Sequence, residues 1–250
     1  MAREARFRHA IVTAAVVASA LVLSASQTTF AQATAGAAAV AGGAPAGQEM
    51  RFADQIKLML DGDRAAPPPQ NAILFIGSSI FRQWTNVKEQ MAPLPVFNRA
   101  FGGSRTWEVL HYMGQIVLPY RPRIIVYYTG SNDVNAGQSA QAILGRTMEF
   151  MARAHTALPA TRIYYVAINR SPDKRDKWDV VDAVNAQMKT TASSTPYVGY
   201  IDLNPVLFKH GEPRMELYRP DGLHFHPPAY DEFTAIMKPV LTQAWHEVGK

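Results

Sequence analysis

Five short apolar runs constrain this chain more than any other feature: AILFI (72–76), PVF (95–97), RIIVYY (123–128), RIYYVAI (162–168) and YVGYID (197–202). They are β-branched or aromatic and apolar without alternation, as strands covered on both faces are. Amphipathic stretches separate them, at roughly 80–91, 105–117, 138–157 and 175–192, and another follows at 229–247. Ahead of the first run, Phe52, Ile56 and Met59 fall at helical spacing, and Asp61-Gly62-Asp63 with Pro67-Pro68-Pro69 is expected to break that helix. Strand and helix in alternation predict an α/β fold, a three-layer α/β/α sandwich around a central parallel sheet of about five strands. At 250 residues and 48% hydrophobic, the chain has material for one such domain with a substantial core.

The N-terminus follows a different rule. Arg3, Arg6, Arg8 and His9 precede an apolar stretch from Ala10 to Leu23 that ends in small residues, the layout of a secretory signal peptide. The stretch is shorter than the about 20 apolar residues that a membrane-spanning helix needs, which weighs against an uncleaved anchor. Thr29-Phe30-Ala31 or Ala31-Gln32-Ala33 supplies a cleavage site. The expected organisation is therefore a signal peptide over 1–33, a flexible Ala/Gly-rich linker over 34–47 and one domain over 48–250, in a periplasmic or secreted protein. With no cysteine there is no lipobox, so no stable membrane anchor is expected. The whole chain carries 25 Lys and Arg against 20 Asp and Glu, a formal +5. Without residues 1–33, which hold three Arg and one Glu, 22 stand against 19, leaving +3. That balance is too weak to point to nucleic acid. Composition leaves the oligomeric state open.

Polar blocks fall where the apolar runs end. They are Gly77-Ser78-Ser79, Phe101-Gly102-Gly103-Ser104, Gly130-Ser131-Asn132-Asp133 and, before the last helical stretch, Asp221-Gly222-Leu223-His224. In open parallel sheets, ligands collect at the carboxyl ends of the strands. Taken singly, each block also has a plain reading: Ser79 as a helix N-cap, Asn132-Asp133 as an Asx turn, Gly103 as a loop glycine. His224-Phe225-His226 has the spacing of a metal pair on a strand, but no second cluster of ligands stands beside it in sequence. His226 otherwise reads as a surface loop residue before Pro227-Pro228, and His111, His155, His210 and His246 show no spacing that suggests chemistry.

Four such blocks in this order resemble the SGNH or GDSL hydrolases, marked by a Ser, a Gly, an Asn and a His in separate blocks. The family's Gly-Asp-Ser-Leu stands here as Gly77-Ser78-Ser79-Ile80, its second-block glycine as Gly103 in FGGSRT, its Gly-x-Asn-Asp as Gly130 to Asp133, and its Asp-x-x-His as Asp221 to His224. The resemblance spans about residues 72–240, with Ser78 for the usual Asp, Ile80 for Leu and Ser104 for a frequent Asp. It implies a flavodoxin-like fold and a cofactor-free, metal-free serine esterase. It also implies catalytic residues Ser79, Asp221 and His224, and an oxyanion hole formed by Ser79, Gly103 and Asn132.

The residues suit that chemistry in their own right. A serine hydroxyl attacks an acyl carbon only when a base takes its proton, and His224 is the available imidazole. Asp221 in the same loop can hold the other ring nitrogen. The oxyanion of the intermediate needs preorganised donors, which the N–H groups of Ser79 and Gly103 and the amide of Asn132 supply. A helix opening at Ser79 adds further N–H groups facing that charge. Two other parallel-sheet readings fall away: GSSIFR lacks the glycines of a dinucleotide-binding loop and any P-loop lysine, and Phe81 stands where an α/β-hydrolase elbow needs its last glycine. The expected substrate is a small-molecule or carbohydrate ester, with a short-chain acyl or O-acetyl-sugar esterase set beside a lysophospholipase or thioesterase. From another class, a non-catalytic binding protein retaining the fold is the competing reading. NRSPDKRDKWD (169–179) should border the site, and its Arg170, Lys174, Arg175 and Trp178 read either as contacts for an anionic or sugar substrate or as a solvated helix start. Tyr127 and Tyr128 read as core.

Overall fold

The computed structural model describes residues 48–248. The signal peptide and linker expected over 1–47 lie outside the described residues. Five parallel strands form the central sheet: β1 (Ile73–Gly77), β2 (Val96–Asn98), β3 (Ile124–Tyr128), β4 (Arg162–Val166) and β5 (Val198–Ile201). Their spatial order is β2-β1-β3-β4-β5, so the chain reverses direction across the sheet at β1 and β3. A crevice at the carboxyl ends of the strands accompanies such a reversal.

The continuous apolar runs are explained by burial on both sides. Leu74, Ile76, Ile125, Tyr127, Ile163 and Tyr165 face one layer, built from α1 (Ala53–Ala65), α4 (Thr106–Ile116), α6 (Ala140–Ala157) and α7 (Trp178–Ser194). Ile73, Phe75, Ile124, Val126, Tyr128 and Val166 face the other, built from α2 (Ser79–Arg82), α3 (Val87–Met91), α8 (Asn204–Leu207) and α9 (Pro227–Glu247). Successive side chains of a strand point to opposite faces, so a strand covered twice must be apolar at every position. Tyr127 and Tyr128 are both fully enclosed.

Several helix limits differ from the sequence expectation. The α1 helix runs through Asp61-Gly62-Asp63 and stops only at Ala65, because Asp61 is bound by Lys57 and Arg64 on the helix surface while Asp63 reaches Arg99 and Tyr120. The stretch 80–91 is two short helices, since the chain turns at Gln83–Asn86 to drop Trp84 between Phe75 and Tyr230. The third polar block forms its own turn of helix, α5 (Ser131–Asn135), and α6 begins anew at Ala140, capped by the Ser139 hydroxyl accepting from the Ala142 N–H. A 3₁₀ segment, Pro172–Lys177, precedes α7. Between β5 and α9 lie α8, a two-stranded hairpin of β6 (Phe208–Lys209) and β7 (Glu212–Pro213), and a 3₁₀ turn at Met215–Leu217.

Candidate active site

The first polar block sits where β1 meets β3. Gly77 holds a φ of 149°, and a Cβ there would lie 1.9 Å from the backbone oxygen of Tyr128, so only glycine permits the approach. The Ser78 N–H then donates to that same oxygen. The two serines part at this point. Ser78 turns inward, almost fully buried, with no hydrogen-bond partner for its hydroxyl among the described residues. Ser79 opens α2, and its Oγ lies 2.9 Å from Nε2 of His224. Phe81, two residues on, is buried against Phe75 and Tyr128, with ring centroids 5.1 and 5.4 Å away, which fixes the one-turn helix on the sheet. Because Ser78 occupies the N-cap position without bonding through its side chain, Ser79 is not the capping residue of this helix.

The fourth block closes on the first. Oδ1 of Asp221 accepts the N–H groups of Leu223 and His224, each at 2.9 Å, while Oδ2 lies 2.6 Å from Nδ1 of His224. Burial pushes the Asp221 carboxyl up, but the side-chain and backbone hydrogen bonds of His224 and the Leu223 N–H outweigh it and hold it down at about 2. Asp221 is thus an anion across the neutral range, aligned on one imidazole nitrogen while Ser79 meets the other. Phe225 anchors the loop: it is wholly buried, 5.1 Å from Phe233 of α9. Tyr230 of the same helix donates to the Ile80 carbonyl at 3.0 Å, so one helix supports both the serine and the histidine.

The second and third blocks are tied to the first by hydrogen bonds. Phe101 N–H and the Ser104 hydroxyl both donate to the Gly77 carbonyl, at 2.9 and 3.1 Å. Asn132 Nδ2 donates to the Ser104 carbonyl at 2.9 Å. Gly103 adopts a φ of 81°, a left-handed conformation that glycine takes without strain. Among the described residues, the N–H groups of Ser79 and Gly103 meet no acceptor. Beneath Asn132, Asp133 is fully buried and accepts the N–H and hydroxyl of Thr106, at 2.9 and 2.6 Å. Desolvation raises its carboxyl to about 6, against the lowering effect of both Thr106 bonds and of Arg146 and Arg105. In the sequence, Asp133 reads as part of an Asx turn or of the Gly-x-Asn-Asp block, and Ser104 as the residue standing for a frequent Asp. The structure makes them the struts between blocks, and the signal was the polar residue beside each marker.

The 169–179 segment does border the site, since the Asp173 N–H donates to the Gly222 carbonyl. It is a helix start with Asp173, Arg175, Asp176 and Asp179 exposed to solvent, and its arginines are tied to acids rather than free. Arg170 is held in a fork by Asp182, at 2.6 and 2.5 Å, and Arg175 pairs with Glu212. Trp178 donates to the Ser171 carbonyl and is flanked by Arg170, Arg175 and Phe208. Lys174 is buried by the 3₁₀ turn, 3.6 Å from Asp173, and desolvation lowers its pKa against that carboxylate's pull. His226 is an exposed residue outside regular structure, as expected, and it flanks α9 at the N-cap position with its N–H donating to the Leu217 carbonyl. Among the described residues, no three His, Cys, Asp or Glu side chains converge as a metal site would require.

A sequence model of the GDSL-like Lipase/Acylhydrolase family matches residues 75–231. Comparison with curated proteins finds no match. Among solved structures, the chain is similar to a GDSL-like lipase from Bacteroides thetaiotaomicron, with a TM-score of 0.66, 17% identity, and 76% of this chain and 98% of that one covered. An acetyl esterase mutant with an acetate ion gives a TM-score of 0.56 at 17% identity, over 70% of this chain and 98% of that one. A carbohydrate esterase of family 3 from Talaromyces cellulolyticus gives 0.54 at 18%, over 68% and 96%. The shared feature is the five-stranded parallel sheet flanked by helices.

Proposed function

The chain belongs to the GDSL-like lipase/acylhydrolase family, a family of carboxylic ester hydrolases, and from that premise we propose that it is an exported esterase acting on short acyl or O-acetyl-carbohydrate esters through an acyl-enzyme on Ser79. The observation that carries this is the linear chain Asp221, His224, Ser79, with contacts of 2.6 and 2.9 Å. His224 Nε2 takes the Ser79 proton as Oγ attacks the acyl carbon. The carbonyl oxygen becomes an oxyanion, received by the N–H groups of Ser79 and Gly103 and by the Asn132 amide. As the C–O bond to the alcohol breaks, His224 passes its proton to the departing oxygen. A water molecule then repeats the sequence on the acyl-enzyme: His224 takes its proton, the hydroxyl joins the acyl carbon, and the proton returns to Oγ as the acid leaves. Asp221 remains ionised throughout and stabilises the imidazolium.

The short-acyl reading draws on the acetyl esterase and carbohydrate esterase among the structural neighbours. Among the described residues, no helix is long and apolar enough to cross a membrane. Export rests on the charge and apolarity of residues 1–33.

The test is a panel of p-nitrophenyl esters from acetyl to palmitoyl, with acetylated sugars, followed by fluorophosphonate labelling and mass spectrometry. Preference for acetyl to butyryl esters and an adduct on Ser79 are expected. A higher kcat/KM for C12 or longer chains would replace the short-acyl reading with a lysophospholipase or lipase. No turnover and no adduct would leave a binding protein.

A further inference from the structure

We propose that Arg51, on the segment leading into α1, is a positioning residue that holds the Gly103 loop in the geometry of an oxyanion donor. This rests on the reading of Gly103 as such a donor. The Arg51 guanidinium forks onto Glu108, with Nε 2.7 Å from Oε1 and Nη2 2.8 Å from Oε2, and Nη2 also donates to the Gly103 carbonyl at 3.1 Å. Glu108 has no exposed side-chain surface and accepts the Arg105 N–H at 2.8 Å, so the anchor is itself fixed at the start of α4. The arginine's backbone is secured too: the Tyr112 hydroxyl donates to its carbonyl at 2.7 Å, and the ring of Phe52 packs edge-on against Phe101 at 5.2 Å.

Gly103 needs such a tether because a glycine at φ 81° has no side chain to restrict its rotation. The other tethers, Phe101 and Ser104 to Gly77 and Asn132 to Ser104, bind the loop to the neighbouring blocks. Among the described residues, Arg51 is what connects it to a buried charge outside them, Glu108. A single guanidinium can satisfy carboxylate and carbonyl together because its donors form a rigid planar fork, which a lysine ammonium lacks. An oxyanion donor acts through preorganisation, so slack in the loop raises the barrier of the chemical step and leaves ground-state binding largely alone.

The test compares Arg51→Lys with the double variant Arg51→Met/Glu108→Gln. The first keeps a cation beside Glu108 without the fork, and the second leaves no unpaired buried charge. For each, kcat and KM on p-nitrophenyl acetate, the rate of fluorophosphonate labelling at Ser79, and Tm are measured. Both variants should lose kcat and labelling rate on the order of 10-fold, with KM nearly constant. Wild-type kcat and labelling in either folded variant, even with a lower Tm, would show a purely structural arginine and overturn the inference alone. Wild-type protein that neither hydrolyses the ester nor takes the label would overturn the functional reading and this inference with it.

Discussion

The side-chain amide of Asn132 donates to the carbonyl of Ser104 over 2.9 Å, a bond that joins two loops at the ends of different strands. One N–H of the amide is committed to holding the second block, and the other makes no bond among the described residues. Asn132→Ala therefore removes a loop tether together with a proposed oxyanion donor. A loss of about 10²–10³ in kcat with KM little changed is expected. Asn132→Asp, which puts an anion where negative charge develops, should lose more. Steady-state kinetics of both variants decide this, and full activity in either would reduce Asn132 to a turn residue.

Ser79→Ala should lower kcat by on the order of 10⁴ or more, because the acyl group then has no acceptor oxygen. Ser78→Ala should keep most of the activity, since its hydroxyl is buried and makes no bond among the described residues. A fluorophosphonate adduct located on Ser78 would reverse the assignment.

Gly77→Ala should unfold the sheet locally. The new Cβ would stand 1.9 Å from a backbone oxygen of β3, and neither strand can yield without breaking the parallel ladder. A loss of about 3 kcal/mol or more in denaturant-melting stability is expected, at the upper end of what overpacking produces. A variant as stable as wild type would mean that β1 and β3 part more readily than their pairing implies.

Asp133 should make stability depend on pH with an unusual sign. Its folded carboxyl titrates at about 6, against 3.8 for the free group, so between roughly pH 4 and pH 6 the unfolded chain ionises while the native state stays protonated. Stability attributable to this group is full below pH 4 and falls as pH rises through that window, by on the order of 3 kcal/mol, then levels off. Asp221, held at about 2, acts below this range and with the opposite sign. Asp133→Asn can still accept the Thr106 N–H and meet its hydroxyl. The stability difference between wild type and this variant, followed by chemical denaturation from pH 4 to pH 7, should therefore shrink or reverse as pH rises. A difference that stays flat with pH would show that Asp133 is ionised throughout.

Hydrolysis should survive dialysis against EDTA, because the proposed base is an imidazole and the proposed oxyanion donors are amides. Loss of activity that zinc restores would move His224 and His226 into a metal site.

The sheet and the order of the four polar blocks can be read from the amino acids alone. A strand covered on both faces has no polar position to spare, so β1, β3 and β4 are written as unbroken apolar runs. The glycines beside them mark turns that side chains would obstruct. Also legible are Ser79 at a strand-to-helix junction and Asp221 and His224 in a later loop, positions that a parallel sheet gathers at one end. Which distant charges meet emerges from the packed fold. Arg51 finds Glu108 and Gly103, Arg170 finds Asp182, Lys174 is buried, and the Ser104 hydroxyl reaches back to Gly77. The split of 80–91 into two helices was equally hidden, because the turn exists to seat Trp84 among rings that come from β1 and α9. Apolar periodicity is a local record of which side of an element is covered. An ion pair or a hydrogen bond between loops depends on how whole elements are packed together, and no local pattern records that.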